Sequence, residues 1–84
     1  MKKHKEMSPA LVQFQEASYH LVAIRILGDY VEARHLMPVE PEHFVEEWVS
    51  KYIIKPPTLM KRSIWRYFLA EWQIYLHKKK RENE

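Results

Sequence analysis

The sequence predicts an all-α fold, a small three-helix domain whose first helix is long and can kink near Gly28. Three observations point there. Pro9, then Pro38 and Pro41, then Pro56 and Pro57 divide the 84 residues into three stretches, each long enough for a helix. Apolar residues in the last stretch recur at three- and four-residue spacing. The chain has a single glycine, so it is poor in the tight turns that a sheet needs.

The first helix opens at Ser8-Pro9, a hydroxyl N-cap followed by proline at the first helical position. Its interior is two-faced. Residues 23 to 35 set Ile24, Leu27, Tyr30 and Val31 on one side, against Arg25, Asp29 and Glu32. Earlier, Leu11, Phe14, Leu21 and Val22 form a stripe on nearly the opposite side, so a continuous helix carries two apolar faces.

The alternative is an α+β fold, in which Gly28-Asp29 turns a hairpin that the last two helices cover. Its register pairs Arg25 with Glu32 and gathers Val22, Ile24, Ile26, Val31 and Ala33 on the other face. Glycine in a helix costs only about 1 kcal/mol against alanine, which leaves the helical reading in front.

The second helix is predicted in VEPEHFVEEWVSKYIIKPP. Pro41 opens it, acids fill its first turn where unpaired N–H groups favour them, and it ends before Pro56. The third runs through PTLMKRSIWRYFLAEWQIYLHKKK, with Thr58 as N-cap and lysines in its last turns. FVEEW (Phe44 to Trp48) and FLAEW (Phe68 to Trp72) each set a Phe and a Trp four apart. The pairs are placed to stack between two antiparallel helices, although the match is too short for a repeat.

One domain is all this length holds, with a thin core. Residues 8–78 form it, flanked by a disordered basic N-terminus over residues 1–7 and a disordered charged C-terminus over residues 79–84. The basic start MKKHKEM is followed by no unbroken apolar run, and Arg25 and Asp29 interrupt the longest apolar stretch. Neither a signal peptide nor a membrane span is expected. With no cysteine there is no disulfide framework, and the expected location is cytoplasmic.

Charge is distributed in blocks within a net +3. Glu40, Glu42, Glu46 and Glu47 precede Lys55, Lys61, Arg62 and Arg66, so acidic and basic blocks can face each other in the fold. On the third helix Ile64, Trp65, Phe68, Leu69, Trp72, Tyr75 and Leu76 share one wide face. That is a core stripe, since bases stack on aromatics standing in an open groove. Arg62, Arg66, Gln73 and His77 flank it. Tyr67 and Ile74 lie seven apart on the side away from the stripe, as though for a second contact.

Chemistry is sparse. Glu16 and His20 stand four apart, but no HExxH pattern and no three converging ligands appear, so no metal or other cofactor is expected. No Gly-rich phosphate loop, cysteine nucleophile or serine elbow is present, and no catalytic residue is assigned. A non-enzymatic regulatory or adaptor protein follows, one that binds a protein partner through Tyr67, Ile74, Arg62 and Arg66 and assembles as a homodimer. The alternative is a nucleic-acid-binding protein that uses Lys61, Arg62, Arg66, Lys78, Lys79, Lys80 and Arg81.

Overall fold

The computed structural model describes residues 8–56 and 58–83. It contains three helices, α1 (Pro9–Arg34), α2 (Pro41–Tyr52) and α3 (Thr58–Glu82), and no strand among the described residues. The all-α expectation holds and the hairpin does not form. The basic segment expected over residues 1–7 lies outside the described residues.

α1 starts as its sequence dictates. Ser8 is extended, and its Oγ accepts from the Leu11 N–H at 3.2 Å, with Pro9 following. The helix then continues through Gly28, whose backbone takes no positive φ. A helical path is favoured because it lines up Ala23, Ile26 and Tyr30, all buried, on one face. The core face is rotated from the expected one: Leu27 and Tyr30 turn inward, but Ile24 points to solvent and Val31 is half-buried. Small Ala23 is fully buried in the core, a position that the hydrophobicity pattern alone passes over.

α2 begins at Pro41 and ends at Tyr52, before Pro56, both as expected. Ile53 is already extended and Lys55 has left-handed φ (51°), so the chain leaves the helix before reaching Pro56. Val45 and Val49 are its buried contribution. α3 carries Ile64 and Phe68 into the same core. It stays helical past Lys78 to Glu82, because no Gly or Pro interrupts it and basic residues in its last turn favour the carbonyl end.

α1 and α3 are the main packed pair and run in the same direction. Glu16 lies near Arg66, His20 near Glu71, and Tyr30 and Arg34 near Trp72. α2 returns between them. The Tyr30 hydroxyl donates to the Val39 carbonyl at 2.9 Å, and its ring meets Phe44 at 5.2 Å, Phe68 at 5.7 Å and Trp72 at 5.2 Å. The FVEEW and FLAEW aromatics therefore meet through Tyr30 rather than stacking on each other directly. Phe68 and Trp72 stack along their own helix, 7° from parallel. Trp48 donates its indole N–H to Asp29 Oδ2 at 2.8 Å and packs on Tyr52.

Two substitutions test this arrangement. A Cβ added at Gly28 meets nothing within 4 Å, so Gly28→Ala gains about 0.5–1 kcal/mol of helix propensity. Thermal denaturation should show the midpoint rising by roughly 3–6 °C, whereas a hairpin would lose stability. Tyr30→Phe removes the hydroxyl that joins α1 to the α1–α2 linker and should cost about 1 kcal/mol in a denaturant titration.

Candidate interaction surface

Tyr67 does not stand out toward solvent. It is half-buried, edge-to-face with His20 at 5.2 Å, and the Arg66 guanidinium lies over its ring at 5.3 Å. The flank of α3 that looked unused in the sequence is where α1 packs, so the buried face of α3 is wider than its central stripe. Leu69 and Leu76, expected within that stripe, are instead exposed at its margin. Ile74 stays open, with 48% of its surface exposed.

Arg62 and Arg66 are exposed. Arg66 reaches Glu16 of α1 at 3.7 Å, an ion pair open to water and worth little. Lys61 and Arg62 share a groove of about 140 Å³ with Glu42 and Glu46, over Val45, Val49 and Trp65. Two residues of each block, Glu42 and Glu46 with Lys61 and Arg62, thus line one α2–α3 groove.

Along the outer face of α3, Leu59, Arg62, Arg66, Leu69, Gln73 and Leu76 recur at alternating steps of three and four residues, every one exposed. On that row two cations lie between Leu59 and Leu69, and Gln73 separates Leu69 from Leu76. A second row runs along the outer face of α1. Ala10, Phe14, Ala17, Leu21, Ile24 and Gly28 are all exposed, and the row continues to half-buried Val31 and exposed His35. Phe14 and Leu21 leave 69% and 66% of their surface in water. The two-faced character of this segment was legible in the sequence, but the register of the outer row was not. Patterning predicts Ile24 inward, which leaves a gap in that row.

The basic residues do not form one face. Lys78, Lys79, Lys80 and Arg81 occupy successive positions, so they radiate around the helix at about 100° intervals. They stand more than three turns along α3 from Arg66 and the groove that Lys61 and Arg62 share with Glu42 and Glu46.

Acid–base groups pair off singly. His20 Nε2 lies 3.2 Å from Glu71 Oε2, and His43 Nε2 lies 3.2 Å from Glu47 Oε2 on α2. Glu16 turns to Arg66, so Glu16 and His20 do not converge on one point. Among the described residues, no three His, Asp or Glu side chains are grouped to hold a metal ion. No helix among them is long and apolar enough to cross a membrane. A cleft of about 300 Å³ at the far end of the α1–α3 pair is lined by Val31, Arg34, His35, Tyr75, Leu76 and Lys79. Those residues bring cations and aromatic surface together, with no carboxylate in the lining.

Compared with known proteins, the chain matches no family model, and no curated protein or solved structure is significantly similar to it.

Tyr67 and Ile74 should separate cleanly on mutation. Ile74→Ser is expected to change stability by no more than about 0.5 kcal/mol, and Tyr67→Ser to cost about 1–2 kcal/mol. Chemical denaturation of the two single variants checks this. Equal costs would mean that both side chains pack alike.

Proposed function

We propose that this chain is a small non-enzymatic regulatory or adaptor protein that acts by binding a protein partner and works as a homodimer. Its partner surface is the outer face of α3. The observation that supports this reading is the exposed row Leu59, Arg62, Arg66, Leu69, Gln73 and Leu76, three leucines with two cations between the first and the second. Such a row suits an acidic amphipathic helix, whose apolar residues cover the leucines while its carboxylates meet the arginines. Ile74 borders the row. Tyr67 supports it from behind by holding Arg66 in place. A reducing compartment such as the cytoplasm suits a chain without cysteine.

Nucleic acid is the weaker reading on geometric grounds. Tracking a phosphate backbone calls for cations along one face, and here they are divided between a groove shared with glutamates and a helix end where they radiate.

The test is differential capture followed by reconstitution. Wild type and a Leu69→Glu/Leu76→Glu variant are used as bait in cells of the source organism, and any protein lost with the variant is purified and titrated directly. Each leucine anchor should contribute about 1–2 kcal/mol, so the double variant should bind at least tenfold more weakly. Identical capture by both baits overturns the surface. Salt-sensitive binding of duplex or single-stranded nucleic acid, strong at about 50 mM salt and lost by about 200 mM, would put the nucleic-acid reading first.

A further inference from the structure

The aromatic rings of α3 form a ladder along the helix. Trp65 lies 14° from parallel with Phe68, Phe68 lies 7° from Trp72, and Trp72 lies 19° from Tyr75. As far as Trp72 the ladder belongs to the core. Its last rung, half-buried Tyr75, lines the cleft of about 300 Å³ at the far end of the α1–α3 pair. Val31 and Leu76 add apolar wall there, and Arg34, His35 and Lys79 supply the polar part. We propose that this cleft binds a small aryl phosphate, its ring continuing the stack beyond Tyr75 and its phosphate held by Arg34, His35 and Lys79.

Charge selects the anionic end. No carboxylate lines the cleft, and among the described residues none of Arg34, His35 and Lys79 is in an ion pair. Exposed cations are commonly unpaired, so that alone decides little. Arg34 differs because its guanidinium is already positioned, 5.2 Å from the Trp72 ring centre and 5.8 Å from that of Tyr30. The two rings fix where the cation stands while no carboxylate takes its N–H donors. A planar fork so placed can meet a phosphate through two parallel hydrogen bonds and loses little side-chain freedom in doing so. A phosphate ester, with three acceptor oxygens and close to two charges at neutral pH, suits donors arriving from three side chains.

The carbonyl end of α1 works against an anion here, but weakly. Its macrodipole amounts to roughly half a negative charge, whereas Arg34 and Lys79 each bring a full positive one into the lining. Some of those carbonyls are also engaged, since the His35 N–H donates to Glu32 and the Leu36 and Met37 N–H groups donate to Ala33. Glu82, three residues past Lys79, stands outside the lining. The volume lies at the small end for ligand sites, which suits one ring and one phosphate. This site goes beyond the protein-partner reading and meets the outer row of α3 only at Leu76, so either can fail alone.

The probe is phenyl phosphate, titrated into the full chain by calorimetry with amide NMR shifts read alongside. Saturable binding is expected with a Kd of about 0.1–1 mM. Inorganic phosphate lacks the ring and phenol lacks the charge, so each should bind at least about tenfold more weakly. Shifts should gather around Arg34, His35, Tyr75 and Lys79. Lys79→Gln, at an exposed position outside the aromatic cluster, should weaken binding about fivefold or more. Arg34→Lys keeps the charge but loses the fork and should weaken it too. Lys78→Gln, which points elsewhere around the helix, should leave it unchanged. No saturation by about 10 mM overturns the proposal. So does equal binding of inorganic and phenyl phosphate, or undiminished binding by both Arg34→Lys and Lys79→Gln. Equal losses from Lys78→Gln and Lys79→Gln would mean that only general positive charge is read, and shifts centred on Lys61 and Arg62 would put the anion in the α2–α3 groove. Either result overturns the cleft.

Discussion

Tyr30 is the point at which the three helices are tied together. It is 3% exposed, its ring touches aromatics of both α2 and α3, and its hydroxyl is satisfied by the Val39 carbonyl. A buried phenol needs that acceptor, because a lost hydrogen bond inside a core costs more than the bond is worth on the surface. The linker after α1 must therefore fold back to bring Val39 within reach, and that return sets the entry of α2. Arg34 stacks over Tyr30 and Trp72 from the solvent side and closes the cluster.

Around this knot the fully buried residues are few and mostly small: Ala23, Ile26, Val45, Val49, Ile64 and Phe68. A short chain has a high ratio of surface to volume, and two helices of 26 and 25 residues are longer than one such core can cover. About half of the exposed large apolar side chains fall on two rows, one on α1 and one on α3, while Leu36, Met37 and Ile54 stand in the linkers. Scattered apolar exposure is ordinary for a small protein, but rows with helical coiled-coil spacing are a stronger signal. Both parts of the functional reading follow from this surplus.

Much of the fold could be read from the residues. The prolines and Ser8 marked the starts of α1 and α2, and the wide aromatic face of α3 marked its core stripe. The choice between helix and hairpin at Gly28 was harder, because a lone glycine in a polar context is compatible with either and only the packing of Ala23, Ile26 and Tyr30 decides it. Side-chain facing was least legible. A helix contacting two neighbours buries a face wider than its most hydrophobic stripe, which takes Tyr67 in, whereas the packing of Ala23 and Ile26 turns Ile24 out. Ala23 then occupies an interior position that hydropathy assigns to a larger residue.

The shared direction of α1 and α3 has an electrostatic consequence. Each helix carries a macrodipole equivalent to roughly half a negative charge at its C-terminal end. Side by side and parallel, the two put those partial charges at the same pole of the molecule, where they repel. Arg34 stands in the last turn of α1, and Lys79, Lys80 and Arg81 in the last turn of α3, at that pole. The basic run at the end of the chain is thus a counter-charge that its own topology calls for. Had α3 run antiparallel to α1, the same lysines would lie beside a positive helix end and would weaken the fold.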